Sequence, residues 1–203
     1  ANHKLAVLVS SGDGDAYGEG LAHLLAAAKA NHDLTLLVHN NWSYSLTTGQ
    51  ASPTTPQGKK TKSTPQGTNE TPLNPLALSL ISGATFVARG FALEIDHLAN
   101  LISQAITHKG FAHIDILQPC VIFNPEYSVA WFKERIYQLP PDQKKDDYEQ
   151  ALKQVHETEK FPIGVFYQIK KLSYEEFLPQ LKESPLVSQK PKVNQIQSLL
   201  DKI

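Results

Sequence analysis

The chain has little cysteine, no excess of charge and no long apolar run, and each of these absences excludes a class of protein. A single cysteine, Cys120, rules out a disulfide framework and is typical of a reducing cytoplasm. A net charge of −1 argues against a nucleic-acid-binding protein, because such proteins depend on cationic contacts to phosphate. No apolar run approaches the roughly 18 residues that a membrane-spanning helix needs. We therefore expect a cytoplasmic protein that binds neither membranes nor nucleic acids.

Methionine is absent altogether, and a strand pattern begins within the first few residues. A natural start usually leaves some unstructured residues before the first strand. We therefore expect this sequence to be the downstream part of a longer polypeptide.

The remaining composition, 41% apolar and 19% charged, is that of an ordinary globular protein. An apolar run at residues 4–10 predicts a buried strand, and the spacing of leucines over residues 16–30 predicts a helix with Asp15 as its N-cap. Residues 34–38 predict a second buried strand. Strand, helix and strand at this spacing indicate two parallel strands joined by a right-handed crossover.

Regular structure resumes after a polar, Pro-rich segment at residues 42–74, which is long enough to be either functional or disordered. Helices are predicted at 75–82, 95–108, 128–137 and 144–157, and strands at 85–88, 112–117 and 163–167. This pattern indicates an α/β protein with a mainly parallel sheet and helices on both of its faces.

Polar side chains follow the first two predicted strands, at the point where each strand ends. Asp13 lies in the turn Gly12-Asp13-Gly14, and Asn41 follows the second strand. If the two strands are neighbours, these side chains meet at one edge of the sheet, where α/β proteins bind ligands. A carboxylate repels phosphate unless it holds a cation, and Mg²⁺ prefers one or two carboxylates together with phosphate oxygens and water. The turn therefore predicts a metal-mediated diphosphate site.

Two other interpretations of this turn compete with the metal site. A dinucleotide-binding GxGxxG pattern fails, because Gly18 comes one position too late. The other alternative is that this stretch is only a tight strand-to-helix turn, with aspartates that lie on the surface and have no function. The pair Asn40-Asn41 at the end of the second strand favours the metal site over that alternative.

GDG, twenty-five further residues and then NN is similar to the signature of thiamine-diphosphate enzymes. A narrower resemblance extends to about residue 181. The matching stretches are GDGDAYGEGLAHLL, NNWSYSLTTGQASPTTPQGKKTK, GATFVARGF and HKGFAHIDILQPCVIFN. Together they resemble the beta subunit of 2-oxoacid:ferredoxin oxidoreductases.

The resemblance implies a role for each matching residue. Magnesium ligands are implied at Asp13, at Asn41 and at the backbone carbonyl of Ser43. Contacts with thiamine diphosphate are implied at Gly12, Asp13, Gly14, Asp15, Asn41, Ser43, Tyr44 and Thr47, and proximity to substrate at Leu46 and Thr48. Cys120 matches the fourth cysteine ligand of the family's [4Fe–4S] cluster. We assign no role to His23.

The sequence departs from the family pattern in two places. The family's first three cluster cysteines precede the GDG turn, and nothing corresponds to them here, which again suggests a fragment rather than a natural loss of the cluster. Leu46-Thr47-Thr48-Gly49 stands where pyruvate-specific members tend to carry Asn-Thr-Gly-Gly. This resembles the branch that acts on 2-oxoglutarate or on a broad range of 2-oxoacids.

The resemblance implies oxidative decarboxylation of a 2-oxoacid with coenzyme A and ferredoxin, in a hetero-oligomer with an alpha (pyrimidine-domain) subunit. That subunit would supply the activating glutamate. The resemblance also divides the chain into a cofactor-binding domain (1–124), a helical extension (125–181) and a tail (182–203) whose amphipathic end packs on a partner or stays loose. Two alternatives stay open, namely a non-redox thiamine-diphosphate decarboxylase or synthase and a non-catalytic scaffold with the same fold.

Overall fold

A computed structural model describes residues 2–182 and 184–189, which build a six-stranded sheet with helices on both faces. The order of the strands in the sheet is β1-β2-β4-β3-β6-β5. Their bounds are β1 Leu8–Gly12, β2 Leu34–Asn40, β3 Phe86–Phe91, β4 Phe111–Leu117, β5 Ile136–Gln138 and β6 Phe161–Gln168. The first four strands run parallel to one another, which confirms the predicted mainly parallel α/β architecture.

Within the described residues, six α-helices connect or flank these strands. They are α1 Leu21–Ala30, α2 Pro75–Ile81, α3 Ile95–Thr107, α4 Val129–Lys133, α5 Tyr148–Val155 and α6 Tyr174–Phe177. Helices α1, α2 and α5 pack on one face of the sheet, and α3 packs on the other. Every residue of β3 and β4 is buried, so the centre of the core lies at these two strands. The predicted amphipathic segment 196–203 lies outside the described residues.

The first strand differs from its prediction. It spans Leu8–Gly12 rather than residues 4–10, and the side chains of Leu8 and Val9 are 50% and 39% exposed rather than buried. The reason is topological, because among the described strands β1 lies at the edge of the sheet and has β2 as its one partner. An apolar run specifies a strand, but not how many neighbours that strand has.

The predicted helix over residues 16–30 is interrupted. A π-helical turn spans Asp15–Glu19, and α1 begins only at Leu21. The backbone N–H of Gly20 donates to the carbonyl of Asp15 at 2.7 Å, which closes the wide turn. Asp15 is therefore not the N-cap that we expected. Gly14 occupies that position, and the Asp15 carboxylate accepts a hydrogen bond from the hydroxyl of Ser11 instead.

The predicted helix over residues 128–137 is also wrong in its second half. Helix α4 ends at Lys133, and Ile136–Gln138 form β5, which pairs with β6. Strand β6 in turn runs antiparallel beside β3. The expected helical extension therefore also adds two strands to the same sheet, and the division at residue 124 stays a prediction.

No helix within residues 2–182 and 184–189 has both the length and the apolar character needed to cross a membrane.

The π-helical turn requires glycine at position 20. An alanine Cβ there would lie 2.8 Å from the Asp15 carbonyl oxygen, whereas a Cβ at Gly12 would meet nothing within 4 Å. We expect Gly20→Ala to cost about 1–3 kcal/mol of unfolding free energy because it overpacks the turn. For a chain of this size, each kcal/mol of unfolding free energy that is lost lowers Tm by about 2–4 °C. Thermal unfolding followed by circular dichroism measures it.

Gly12→Ala is the matched control and should leave the unfolding free energy within about 0.5 kcal/mol of the wild-type value. Equal Tm values for the two variants would show that the turn does not depend on Gly20.

Candidate functional site

The carboxyl ends of β1 and β2 bring Asp13 and Asn41 together, as the order of the strands requires. Gly12 pairs with His39 in the register of β1 and β2, so Asp13 and Asn41 follow neighbouring strand ends. The Asp13 side chain is only 2% exposed. Its burial raises the pKa of the carboxyl, and hydrogen bonds from Ser52, Thr54 and the Asn41 backbone oppose that rise only in part. A buried, poorly compensated carboxylate of this kind is a group to which a cation is attracted.

Two hydroxyl groups that sequence reasoning missed hold the Asp13 carboxylate. The Ser52 Oγ lies 2.5 Å and the Thr54 Oγ1 2.8 Å from Asp13 Oδ2. Both residues belong to the long polar segment that follows β2, and both are buried. The only signal for them in the sequence was the Ser-Pro-Thr-Thr stretch, which predicts a turn but names no partner.

Asn41 and Ser43 form the second arm of the site, on either side of Trp42. The Asn41 side-chain oxygen accepts a hydrogen bond from the Ser43 backbone N–H at 3.1 Å, and the Ser43 carbonyl accepts one from the Ser45 N–H at 2.9 Å. Trp42 has a φ of +60°, in the left-handed region that non-glycine residues rarely adopt. This conformation reverses the chain between the two residues that supply the candidate oxygen ligands.

Packing of the Trp42 indole stabilises the left-handed backbone conformation of this residue. Its ring centroid lies 4.9–6.0 Å from four aromatic rings, those of Tyr127, Trp131, Phe132 and Phe161. Packing of this kind contributes about 0.5–1.5 kcal/mol per aromatic pair beyond burial. That is enough to offset a left-handed residue, which costs about 1–3 kcal/mol.

Tyr44 lies across the GDG turn. Its phenol donates to the Gly14 carbonyl at 3.1 Å and contacts the Glu19 carboxylate at 3.3–3.4 Å. A Cβ on Gly14 would lie 2.2 Å from the Tyr44 ring. Burial and the Glu19 carboxylate raise the pKa of Tyr44, so the phenol remains a donor. The glycine at position 14 therefore makes room for a side chain of the protein.

The residues after Tyr44 form a small loop that closes at Gln50, with Tyr44 N–H bonded to the Gln50 carbonyl at 3.0 Å. The Thr47 hydroxyl donates to the side-chain oxygen of Gln50, and its oxygen also lies 3.2 Å from the Tyr44 carbonyl. Leu46 is 99% exposed, and Thr48 is exposed as well. The residues that we expected near substrate therefore project from the tip of this loop.

The predicted diphosphate contacts fall into two groups. Gly12, Asp13, Gly14 and Asn41 meet at the edge of the sheet, and the space around the Gly12 Cα is open. The side chains of Asp15 and Thr47 are instead hydrogen-bonded to Ser11 and Gln50 beside that edge.

A buried network of polar side chains lies beneath the site. Asp115 accepts hydrogen bonds from Asn40 Nδ2 at 2.9 Å and from the Tyr17 hydroxyl at 2.9 Å, and it pairs with Arg89 Nε at 3.4 Å. Because the Tyr17 hydrogen goes to Asp115, His113 Nε2, 2.9 Å away, is the donor to that hydroxyl. Burial lowers the pKa of His113 to about 4, so this imidazole is neutral at pH 7.

Cys120 lies close to the same loop, with its Sγ 3.5 Å from the Ser45 hydroxyl. Burial alone would raise the pKa of this thiol. The Ser45 hydroxyl and the backbone N–H groups of Phe123, Ile122 and Asn124 outweigh burial and bring the pKa below its usual value. This thiol therefore loses its proton more readily than an ordinary cysteine, and the thiolate is the form that binds metals.

Two family models match the chain and together cover most of it. One, described as the thiamine pyrophosphate enzyme C-terminal TPP binding domain, matches residues 1–116. The other, which describes the C-terminal part of the pyruvate ferredoxin oxidoreductase beta subunit, matches residues 120–183.

Named relatives agree with these models. The chain is 42% identical over 209 residues to subunit beta of 2-oxoacid:ferredoxin oxidoreductase 1 from Aeropyrum pernix, covering 97% of this chain and 66% of the relative. It is 44% identical over 180 residues to the corresponding subunit from Saccharolobus solfataricus, covering 83% and 59%. The chain thus spans about 59–66% of the length of these relatives.

A solved structure has the same fold. It is a 2-oxoglutarate:ferredoxin oxidoreductase from Magnetococcus marinus with 2-oxoglutarate, coenzyme A and succinyl-CoA bound. The TM-score is 0.87 and the identity 32%, over 96% of this chain and 67% of that chain.

The contact between Gly14 and Tyr44 predicts strong coupling between these positions. We expect Gly14→Ala to destabilise the protein by about 1–3 kcal/mol, because the new methyl group collides with the phenol ring. In a Tyr44→Ala background the same substitution should cost less than about 0.5 kcal/mol. Urea unfolding of the four proteins in this double-mutant cycle measures the coupling. An identical cost in both backgrounds would contradict the assigned contact.

The neutral buried imidazole of His113 predicts acid sensitivity. Its pKa of about 4 lies below the usual 6.5, so the unfolded chain binds a proton that the folded chain excludes. The stability from this group is present above pH 6.5 and declines as the pH falls towards 4, by about 3 kcal/mol in total. Urea unfolding between pH 7 and pH 4 should show this slope in the wild type and lack it in His113→Gln. The exposed His23→Gln is the control, and it should keep the wild-type slope.

Proposed function

The chain belongs to the beta subunits of the 2-oxoacid:ferredoxin oxidoreductases, and we propose that it anchors thiamine diphosphate through Mg²⁺ in such an enzyme. The observation that carries this proposal is the meeting of the buried Asp13 carboxylate with the Asn41–Ser43 arm at adjacent strand ends. The family model for a thiamine pyrophosphate-binding domain covers the same residues.

The oxygen groups at this edge suit Mg²⁺. The carboxylate of Asp13, the amide oxygen of Asn41 and the carbonyl of Ser43 are hard ligands of the kind that this ion prefers. Within the described residues, no group of three or more His, Cys, Asp or Glu side chains could hold a metal alone. A site with one carboxylate therefore needs ligand oxygens from outside the protein, which a diphosphate and water would supply. The open space beside Gly12 supports a diphosphate there.

Thiamine diphosphate, when bound, supplies the electron sink for decarboxylation of a 2-oxoacid. The residues of this chain bind and orient it. Asp13, Asn41 and Ser43 hold the cation, and Gly12, Gly14, Asp15 and Thr47 line the diphosphate. Tyr44, fixed on the GDG turn, limits the cofactor on one side, and Leu46 and Thr48 at the loop tip contact the substrate. The activating glutamate belongs to the alpha subunit, so we assign no catalytic base to this chain.

Cys120 provides one ligand of a [4Fe–4S] cluster in the complete protein. Its lowered pKa and its position beside the loop that carries Leu46 and Thr48 support this role. Such a cluster needs four thiolates, and this chain has one cysteine, so the other ligands lie outside these 203 residues. A cluster held in part by Cys120 would supply single-electron transfer towards ferredoxin.

The reaction that we propose releases CO2 from a 2-oxoacid, transfers the acyl group to the thiol of coenzyme A and passes two electrons to ferredoxin. The Magnetococcus marinus structure, which has 2-oxoglutarate and coenzyme A bound, supports these substrates. Leu46 and Thr48 favour 2-oxoglutarate or a broad range of 2-oxoacids over pyruvate alone. The active enzyme is a hetero-oligomer with the alpha subunit in the cytoplasm.

A non-redox thiamine-diphosphate enzyme and a non-catalytic scaffold are the alternatives. The match of residues 120–183 to the ferredoxin oxidoreductase model favours the redox enzyme over the first. A titration with thiamine diphosphate distinguishes the enzyme, which binds the cofactor, from the scaffold, which does not.

We expect thiamine diphosphate to bind the assembled enzyme only when Mg²⁺ is present. Asp13→Ala should weaken binding at least about 100-fold, because it removes the single carboxylate ligand and leaves a cavity lined by hydroxyl groups. Quenching of tryptophan fluorescence measures binding, since Trp42 adjoins the site. Binding of equal strength in a chelator would contradict the metal role.

A further inference from the structure

The hydroxyl groups of Ser52 and Thr54 belong to a turn that hydrogen bonds within the protein hold in place. The Ser52 N–H donates to Thr55 Oγ1 at 2.8 Å, and the Thr55 N–H donates to the Ser52 carbonyl at 3.0 Å. The Thr55 hydroxyl then donates to the Trp42 carbonyl at 2.7 Å. These bonds tie the turn 52–55 to the arm that carries Asn41 and Ser43.

A second attachment fixes the far end of the turn. The Leu73 N–H donates to the carbonyl of Pro53 at 2.8 Å. The turn is therefore held both at its own hydrogen bonds and at the end of the long segment in which it lies. Because the backbone of this turn is held at both ends, the directions of its hydroxyl-bearing side chains are restricted.

Both hydroxyl groups point at the same oxygen of Asp13. Ser52 and Thr54 contact Oδ2, and among the described residues no side chain donates to Oδ1. The Asn41 backbone N–H also hydrogen-bonds to this carboxyl group, so the turn and the arm that follows β2 both hold it. Hydrogen bonds to an ionised acceptor are about twice as strong as neutral ones, so the carboxylate cannot rotate freely.

Thr54, whose one hydroxyl hydrogen goes to Asp13, also lies in contact with the polar network of the core. Its Oγ1 lies 2.9 Å from the side-chain oxygen of Asn40, whose Nδ2 donates to the buried Asp115 at 2.9 Å. Asp115 in turn pairs with Arg89. A continuous chain of contacts therefore runs from the carboxylate at the edge of the sheet to a buried ion pair.

We propose that Ser52 and Thr54 are positioning residues that fix the Asp13 carboxylate in the one orientation that binds the cation. This inference rests on the proposed function, because it assumes that Asp13 is the metal ligand. It assigns to the turn 52–55 a role in metal affinity that is separate from contact with the cofactor. The two hydroxyl groups act on the carboxylate and are not assigned as ligands of the cation.

The test uses Mn²⁺ as a spectroscopic probe for Mg²⁺ in the assembled enzyme with saturating thiamine diphosphate. Free Mn²⁺, measured by electron paramagnetic resonance, gives the metal Kd. We expect Thr54→Val and Ser52→Ala each to raise this Kd about tenfold, which is the effect of losing one hydrogen bond to a charged group. At saturating Mn²⁺ the affinity for thiamine diphosphate should return to the wild-type level, which general misfolding would not allow.

Two further variants serve as controls. Thr54→Ser keeps the hydroxyl group and should bind Mn²⁺ as the wild type does. Thr68→Val removes another buried hydroxyl from the same long segment, one that bonds to the Pro56 carbonyl and not to Asp13, and should leave the Kd unchanged. If Thr54→Val does not fold, Ser52→Ala carries the test, because it removes the second donor independently.

An unchanged Kd in Thr54→Val and Ser52→Ala with native melting temperatures would overturn the inference and leave the proposed function intact. So would a Thr54→Ser variant that binds Mn²⁺ as weakly as Thr54→Val. If the wild type itself binds no Mn²⁺ together with thiamine diphosphate, the proposed function fails, and this inference fails with it.

Discussion

The burial of one carboxylate at the end of β1 is the constraint on which the rest of the site depends. Asp13 is almost inaccessible to water, and an ionised group in such a place needs hydrogen-bond donors or a cation. The long segment after β2 supplies two of those donors, Ser52 and Thr54. These donors offset the cost of burying the carboxylate only in part, so a bound cation would stabilise it further. A metal-mediated anion site requires this property.

The second arm of the site depends on strain rather than on charge. Trp42 adopts a left-handed backbone conformation, and a cluster of aromatic side chains keeps it there. Two of the rings in that cluster, Trp131 and Phe132, come from α4, far along the sequence from β2. Residues of α4 therefore help to determine the geometry of the segment that carries Asn41 and Ser43.

Local patterns predicted the parallel strands and the adjacency of Asp13 and Asn41, because strand ends and turns are encoded by nearby residues. They did not predict Ser52 and Thr54, which contact Asp13 across 39 and 41 residues. The exposure of β1 was missed because burial of a strand depends on its neighbours in the sheet. The π-helical turn was missed because helical spacing does not reveal the hydrogen bond between Gly20 and Asp15. The errors thus lie where distant or unusual backbone contacts decide the structure.

The position of β6 in the sequence has a consequence for how the chain folds during synthesis. Strand β3 is buried along its whole length, but one of its two neighbours, β6, follows α5 in the chain and is synthesised well after β3. During synthesis on the ribosome, the edge of β3 that pairs with β6 stays unpaired until Gln168, the last residue of β6, has emerged. The two regions that separate family models match are therefore joined in one sheet, which closes beside β3 only after β6 has been synthesised.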